Sequence, residues 1–359
     1  MDQRLNGGAL DELEVIIPNL NWRYSGGTAV NRTIAPLIAR HCRAAWLGPH
    51  RPEGIRRLTL RGLAQLRFRH PDNHAVCLWH ARRNVEMAVG LFLKLLGYRF
   101  GLIFNSAAQR RHSGLTRFLI ARMDAVIATS EASSSYLQRP ATVIHHGIDT
   151  DAYCPPADRL AAFAESGLPG KFGIGAFGRL RPQKGTDVFI DALCRLLPKY
   201  SDFTAVLIGR TTIEHWAWVE NLKRRAAAAG VAERIRFFGE LPIAEVPGWY
   251  QRIAIYVFAS REEGFGLTLL EAMAAGNALV AARSGAAATV VADGETGVLV
   301  PVGDVDALVA ALEPLMRDPE RAAEMGRRAR AHVVAHFSSE REVARIIAVY
   351  RQVWQALEK

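Results

Sequence analysis

Short apolar runs alternate with stretches of helical spacing along this chain, and they do so in two separate series. That alternation restricts the fold more than any other feature. Strands joined by helices pair in parallel, and a parallel sheet must be covered on both faces. Residues 13–18 form an apolar run suited to a buried strand. Residues 21–27 are a polar loop ending in Gly26-Gly27, and 28–41 place Val30, Ile34, Leu37 and Ile38 at helical spacing. Further strands are expected at 44–47, 75–79, 99–104, 125–128 and 142–145, with helices at 85–96 and 115–122. This series ends near residue 150.

Residues 151–170 contain Pro155-Pro156 and Pro169-Gly170, which mark a connection with a short helix inside it. The second series follows. Strands are expected at 172–177, 204–208, 235–238, 255–258, 278–281 and 298–300. Helices are expected at 185–197, 216–229, 245–250, 267–275, 304–315, 319–336 and 339–357. The fold class is therefore α/β: two doubly wound Rossmann-like domains facing across a cleft, with ligands at the carboxyl ends of the strands. The expected domains are 1–155 and 156–338, with the helix at about 339–359 packing back on the first. A chain of 359 residues fits two cores better than one.

The sharpest local signal is Glu263-Gly264-Phe265-Gly266-Leu267-Thr268-Leu269-Leu270-Glu271. It reads as a glycine turn opening a helix, with one glutamate before the turn and one on the helix. Gly264 and Gly266 let a ligand approach the main chain. Free N–H groups of a first helical turn suit a phosphate, and two carboxylates suit sugar hydroxyls. Two further pieces accompany it. Phe177-Gly178-Arg179-Leu180-Arg181-Pro182-Gln183-Lys184-Gly185 offers a glycine turn with two cations for a diphosphate. Gly294-Glu295-Thr296-Gly297-Val298-Leu299-Val300 is a turn into a strand. The plain alternative for the glutamates is a solvated or dipole-facing pair, and for the cations a surface salt bridge.

With these three motifs in this order, the second domain resembles the family 4 retaining glycosyltransferases of GT-B architecture. The resemblance implies roles. Arg179 and Lys184 would hold the donor diphosphate, Glu263 the transferred sugar and Glu271 the ribose hydroxyls. Backbone near Phe265, Gly266 and Leu267 would meet sugar and phosphate, and Phe238-Gly239 would flank the base. In the first domain Gly26 and Gly27 match the acceptor-side glycine loop, with Gly27 toward the donor. His80 and Arg82, in Trp79-His80-Ala81-Arg82-Arg83-Asn84, stand where the family often has His-x-His. Asn105 stands where the family usually has a histidine that touches the sugar. An amide hydrogen-bonds but carries no proton; Asn105 as a helix cap is the alternative.

The block at 104–130, with Trp79-His80-Ala81-Arg82-Arg83-Asn84, is similar to bacterial lipopolysaccharide-core mannosyltransferases. That likeness implies GDP-mannose as donor, a Kdo-lipid A type acceptor, and hexosyl transfer with retention. No metal or other cofactor is expected, because the cations replace the metal. The alternative donor is a UDP-sugar, used for another surface polysaccharide or glycolipid.

Charge gives the acceptor reading a physical basis. Residues 1–150 hold 20 Lys and Arg against 10 Asp and Glu, while the remainder holds 25 of each, so the whole net charge of +10 lies in the first part. Arg82, Arg83, Arg110 and Arg111 suit an acidic sugar or lipid phosphates. The close series Arg51, Arg56, Arg57, Arg61, Arg67 and Arg69 suits an anionic inner-membrane surface. A nucleic-acid-binding protein is the reading from another class; the chain has no module that reads base edges. The apolar stretch 91–96 is read first as buried core and second as a membrane contact. Four scattered cysteines, no run of 18 apolar residues and an acidic N-terminus point to the reducing cytoplasm.

Overall fold

The structure, a computed structural model, describes residues 10, 12–22, 26–68 and 76–358. It divides into two compact units. The first comprises Met1–Gly147 with Ser339–Lys359, and the second Ile148–Ser338.

In the first unit the strands are β1 (Val15–Pro18), β2 (Ala44–Leu47), β3 (Arg56–Leu58), β4 (Cys77–Ala81), β5 (Phe100–Ser106), β6 (Ala125–Ala128) and β7 (Thr142–Val143). They form one parallel sheet in the order β3-β2-β1-β4-β5-β6-β7. The order reverses direction beside β1, as in Rossmann folds. The central strands are buried along their whole length, so they read as continuous apolar runs. One face packs Trp79, Leu102 and Phe104 under helices Asn84–Leu95 and Gly114–Ile120. The other packs Ile17, Trp46 and Ile103 under helices Gly26–His41 and Ser339–Leu357, the latter contributing Ile346, Tyr350 and Trp354.

The second unit holds β8 (Phe172–Phe177), β9 (Phe203–Ile208), β10 (Ile235–Gly239), β11 (Ile253–Phe258), β12 (Ala278–Ala282) and β13 (Val298–Val300). Its parallel order is β10-β9-β8-β11-β12-β13. Helices such as Thr186–Leu196 and Leu267–Ala274 cover its two faces.

Several expectations are corrected. Residues 148–155, assigned by sequence to the first domain, belong to the second unit. Ile148 N–H donates to the Phe337 carbonyl at 2.8 Å, and the Arg330 guanidinium binds the carbonyls of Thr150 and Tyr153 at 2.7 Å each. A composition shift cannot report such contacts. Gly26 and Gly27 open a helix instead of ending a loop; the earlier part of that loop, 23–25, lies outside the described residues. Strand β3 was unforeseen, because Arg56 and Arg57 are exposed on a three-residue edge strand with no readable alternation. Arg69 lies outside the described residues. Helix Asn84–Leu95 is not wholly core: Phe92 is 59% and Leu95 79% exposed. No helix among the described residues is long and apolar enough to cross a membrane.

Candidate active site

Two predicted pieces of the second unit, 177–185 and 263–271, meet at the carboxyl ends of β8 and β11, whereas the turn at 294–297 leads into the start of β13. After β8 the chain turns at Gly178, passes Arg179 and makes a short 3-10 turn, Pro182–Lys184. It then enters helix Thr186–Leu196 through Gly185 at φ +66°. Gly185 is required there twice over. A left-handed φ disfavours any other residue, and a Cβ would lie 1.9 Å from the Ala259 carbonyl oxygen. The two loops thus touch backbone to backbone.

The facing loop follows β11. Phe265 is buried, and its carbonyl accepts from Ala286 N–H at 2.9 Å. Gly266, at φ +99°, precedes helix Leu267–Ala274, and no side chain caps it. Leu269 N–H donates to the Gly266 carbonyl at 2.9 Å, which leaves the first-turn N–H groups of Leu267 and Thr268 to an anion. Leu267 is its first residue and is partly buried.

Lys184 Nζ is ion-paired to Glu263 Oε2. The two side chains are each about a fifth exposed. Arg179 is exposed and has no hydrogen bond or ion pair among the described residues, so its fork is open to a ligand. A cavity of about 20 Å³, room for about one water, lies among Gly178, Lys184, Gly185 and Ser260.

Glu271, on the helix, accepts a hydrogen bond from the Tyr250 hydroxyl at 2.7 Å. Burial pushes its carboxyl above the ordinary range, against hydrogen bonds from Tyr250 and Tyr153 and the charge of Lys184. Burial likewise holds the Tyr250 phenol well above its usual value, and the Glu271 charge adds to that. Phe238, next to last in β10, has its ring 4.4 Å from that of Trp249, and the carbonyl of Gly239, which ends the strand, accepts from Gly209 N–H at 2.7 Å.

Sequence reasoning missed the residues that hold this arrangement. The Arg261 guanidinium grips both carboxylate oxygens of Asp187 at 2.8 Å and the Pro182 carbonyl at 2.6 Å. Arg261 N–H also donates to the Gln183 carbonyl at 2.8 Å. It thereby ties the Lys184 loop to the Glu263 loop. Burial alone would raise the Asp187 carboxyl, but the Arg261 fork outweighs it and holds the group below its ordinary range. Tyr250 and Tyr153 were missed as well. Nothing in a sequence shows that an aromatic at a helix end faces a glutamate twenty-one residues later.

The first-unit candidates form a different kind of cluster. His80 is buried on β4, with Nδ1 2.6 Å from the Tyr350 hydroxyl and Nε2 unpartnered. Burial, with the Arg82 charge, holds its pKa well below the usual value, so it is neutral. Arg82 has Nη2 out of solvent without a partner. Burial lowers its pKa, and Glu342 and Tyr350 oppose that. Asn105 sits inside β5, 5% exposed, with Oδ1 unpartnered. It does not cap the next helix; Ser113 does, accepting from Thr116 N–H. Buried polar atoms without partners are rare in folded proteins and mark where a ligand or water completes the bonding. Arg83 is turned inward to Asn19, Thr28 and Glu86, whereas Arg110 and Arg111 are exposed.

Comparison with known proteins agrees with this geometry. Residues 158–332 match the model of the family described as glycosyl transferases group 1. The lipopolysaccharide core biosynthesis mannosyltransferase LpcC of Rhizobium leguminosarum bv. viciae is 46% identical over 344 residues, covering 95% of this chain and 97% of the relative. The chain is a group 1 glycosyltransferase. A solved C-terminal domain of the group 1 family protein LpcC from Francisella tularensis is 35% identical and spans 54% of this glycosyltransferase and 99% of that domain, with a TM-score of 0.52. Anabaena Alr3699/HepE, solved in complex with UDP, aligns over 95% of this chain and 100% of its own with a TM-score of 0.80. At 21% identity that likeness is one of fold. It gives the glycosyltransferase the GT-B architecture of two Rossmann-like domains.

Proposed function

We propose that this glycosyltransferase moves mannose from GDP-mannose onto Kdo of the lipopolysaccharide inner core, retaining the anomeric configuration. The observation that carries the reading is the 46% identity to a lipopolysaccharide core mannosyltransferase along both units, the basic first one included. The chemistry follows from the site. Breaking the bond to the diphosphate places negative charge on the leaving oxygen. Fixed donors aimed there lower the barrier most, and Arg179, Lys184 and the first N–H groups of helix Leu267–Ala274 supply them. In this reading the diphosphate takes Lys184 from Glu263, whose carboxylate then accepts from a sugar hydroxyl. Glu271, steadied by Tyr250, takes the ribose hydroxyls. Phe238 and Gly239 flank the base. In this reading Arg82, His80 and Asn105 supply polar contacts to the acceptor and sugar, and Gly26 and Gly27 supply the acceptor-side glycine turn. The enzyme works at the cytoplasmic face of the inner membrane, where a lipid-linked acceptor resides.

The test is a panel of GDP- and UDP-sugars with Kdo-lipid A as acceptor, products weighed by mass spectrometry and their anomeric configuration read by NMR. GDP-mannose alone should add one hexose. Transfer from a UDP-sugar instead would overturn the donor assignment. The cations carry the leaving charge, so activity should persist in EDTA; loss on chelation and recovery with Mg²⁺ or Mn²⁺ would refute that part.

A further inference from the structure

We infer that the outer face of two neighbouring helices in the first unit docks on an anionic lipid bilayer. Helices Asn84–Leu95 and Gly114–Ile120 cover the same face of the first sheet and pack on one another, with Asn84 Nδ2 donating to Thr116 Oγ1 at 2.8 Å. Their inner sides are used up: Glu86, Met87, Gly90, Thr116, Leu119 and Ile120 are buried. A surface helix normally turns polar residues outward. Here Val85, Ala88, Phe92 and Leu95 follow each other at spacings of three and four residues, and all are exposed. The neighbouring helix adds Leu115, 67% exposed, and Phe118, 49% exposed. Single exposed apolar residues need no explanation, but a stripe shared by adjacent helices marks an interaction site.

Charge selects the occupant. Exposed Arg99, Arg110, Arg111, Arg117 and Arg122 lie on these two helices or within four residues of their ends along the chain, and Arg122 lies 3.4 Å over the Phe118 ring. Asp124, between these helices and β6 in sequence, is paired with Lys94 at 3.0 Å. Two copies of so basic a face repel each other, whereas an anionic bilayer takes both the apolar side chains and the guanidinium groups. A cavity of about 130 Å³ beside helix Gly114–Ile120 is lined by His112, Arg117, Tyr136 and Arg139. His112 Nε2 lies there out of solvent with no partner. Arg139 in that wall is committed to the carbonyls of Ile120 and Met123 at 3.0 and 2.7 Å, which leaves the Arg117 guanidinium and the Tyr136 hydroxyl to donate to a lipid phosphodiester. This surface deepens the lipid-linked acceptor reading and rests on it for its purpose.

The experiment is flotation of the full chain with vesicles. Wild type should float with phosphatidylglycerol–phosphatidylcholine vesicles and not with phosphatidylcholine alone. The variant Phe92→Ser/Leu95→Ser/Leu115→Ser/Phe118→Ser should bind at least about tenfold more weakly, keep its melting temperature, and keep transfer to a water-soluble Kdo acceptor. Arg99→Glu/Arg117→Glu should lose binding as well. Flotation of the serine variant like wild type, or equal wild-type binding to neutral vesicles, overturns the proposal. So does a serine variant that turns a wild-type dimer into a monomer by light scattering. Vesicle binding without sugar transfer to any acceptor would sink the transferase reading and leave this surface standing.

Discussion

Replacing Gly185 by alanine should disable the enzyme by moving two loops apart. The residue sits at φ +66°, where an L side chain costs about 1–2 kcal/mol. Its new Cβ would also lie 1.9 Å from the Ala259 carbonyl oxygen, where 3.4 Å is ordinary contact. Both partners are backbone, so no side chain can rotate away. Overpacking of this kind adds about 1–3 kcal/mol, for a total loss of about 2–5 kcal/mol. The functional effect follows from position. Lys184 immediately precedes Gly185, and Glu263 lies four residues beyond Ala259, so relief of the clash separates the Lys184 loop from the Glu263 loop by more than about 1 Å. Misplacement on that scale costs about 100-fold in rate. Gly230→Ala is the matched control. It has φ +71° in the same unit, and its Cβ would meet nothing within 4 Å. It should show the left-handed cost alone and keep normal kcat/KM. Urea unfolding followed by tryptophan fluorescence, with steady-state transfer kinetics, measures both. If Gly185→Ala matches Gly230→Ala in stability and activity, the loops do not act as a rigid pair and the reasoning fails.

Lys184→Ala and Glu263→Ala should each remove most transfer, by about 100-fold or more, while circular dichroism and melting stay near wild type. Near-normal turnover in either variant removes that residue from the site. Asn105→Ala should lower kcat/KM about tenfold, because one buried polar contact to the sugar is lost; an unchanged rate argues against sugar contact. Glu342 governs part of the acid stability. Burial raises its carboxyl, but His146, its hydrogen bond, Arg82 and the Gly147 N–H together hold it below the ordinary carboxylate value of about 4.5. A folded pKa below the unfolded one gives stability that is complete above about pH 4.5 and is lost as pH falls through the folded value. Glu342→Gln should therefore flatten the acid limb of a stability–pH curve below about pH 4.5; an unaltered limb would place the acid sensitivity elsewhere.

Much of this protein is written locally. Strands buried on both faces must be apolar along their length, so β8, β12 and β13 are legible as runs. Helices Pro319–His336 and Ser339–Leu357 show in spacing, and helix Leu267–Ala274 begins at a glycine because the turn needs one. The two glycine turns are legible for the same reason: each lies within nine residues of chain. Strand β3 was hidden because a three-residue edge strand owes its existence to β2, not to its own side chains.

The sequence by itself determined two α/β units, their alternation, and the order of cations and glutamates that belongs to a sugar-nucleotide enzyme. Only the tertiary structure decided what those groups touch. It paired Lys184 with Glu263, set Tyr250 against Glu271, and made Arg261 the tie between the two loops. It also turned Phe92 and Leu95 outward from a helix that reads equally well as core. The reason is range. A turn or a helix is fixed by neighbours a few residues away, whereas the partner of a buried charge or the cover over an apolar face is fixed by residues brought near only when the sheets assemble.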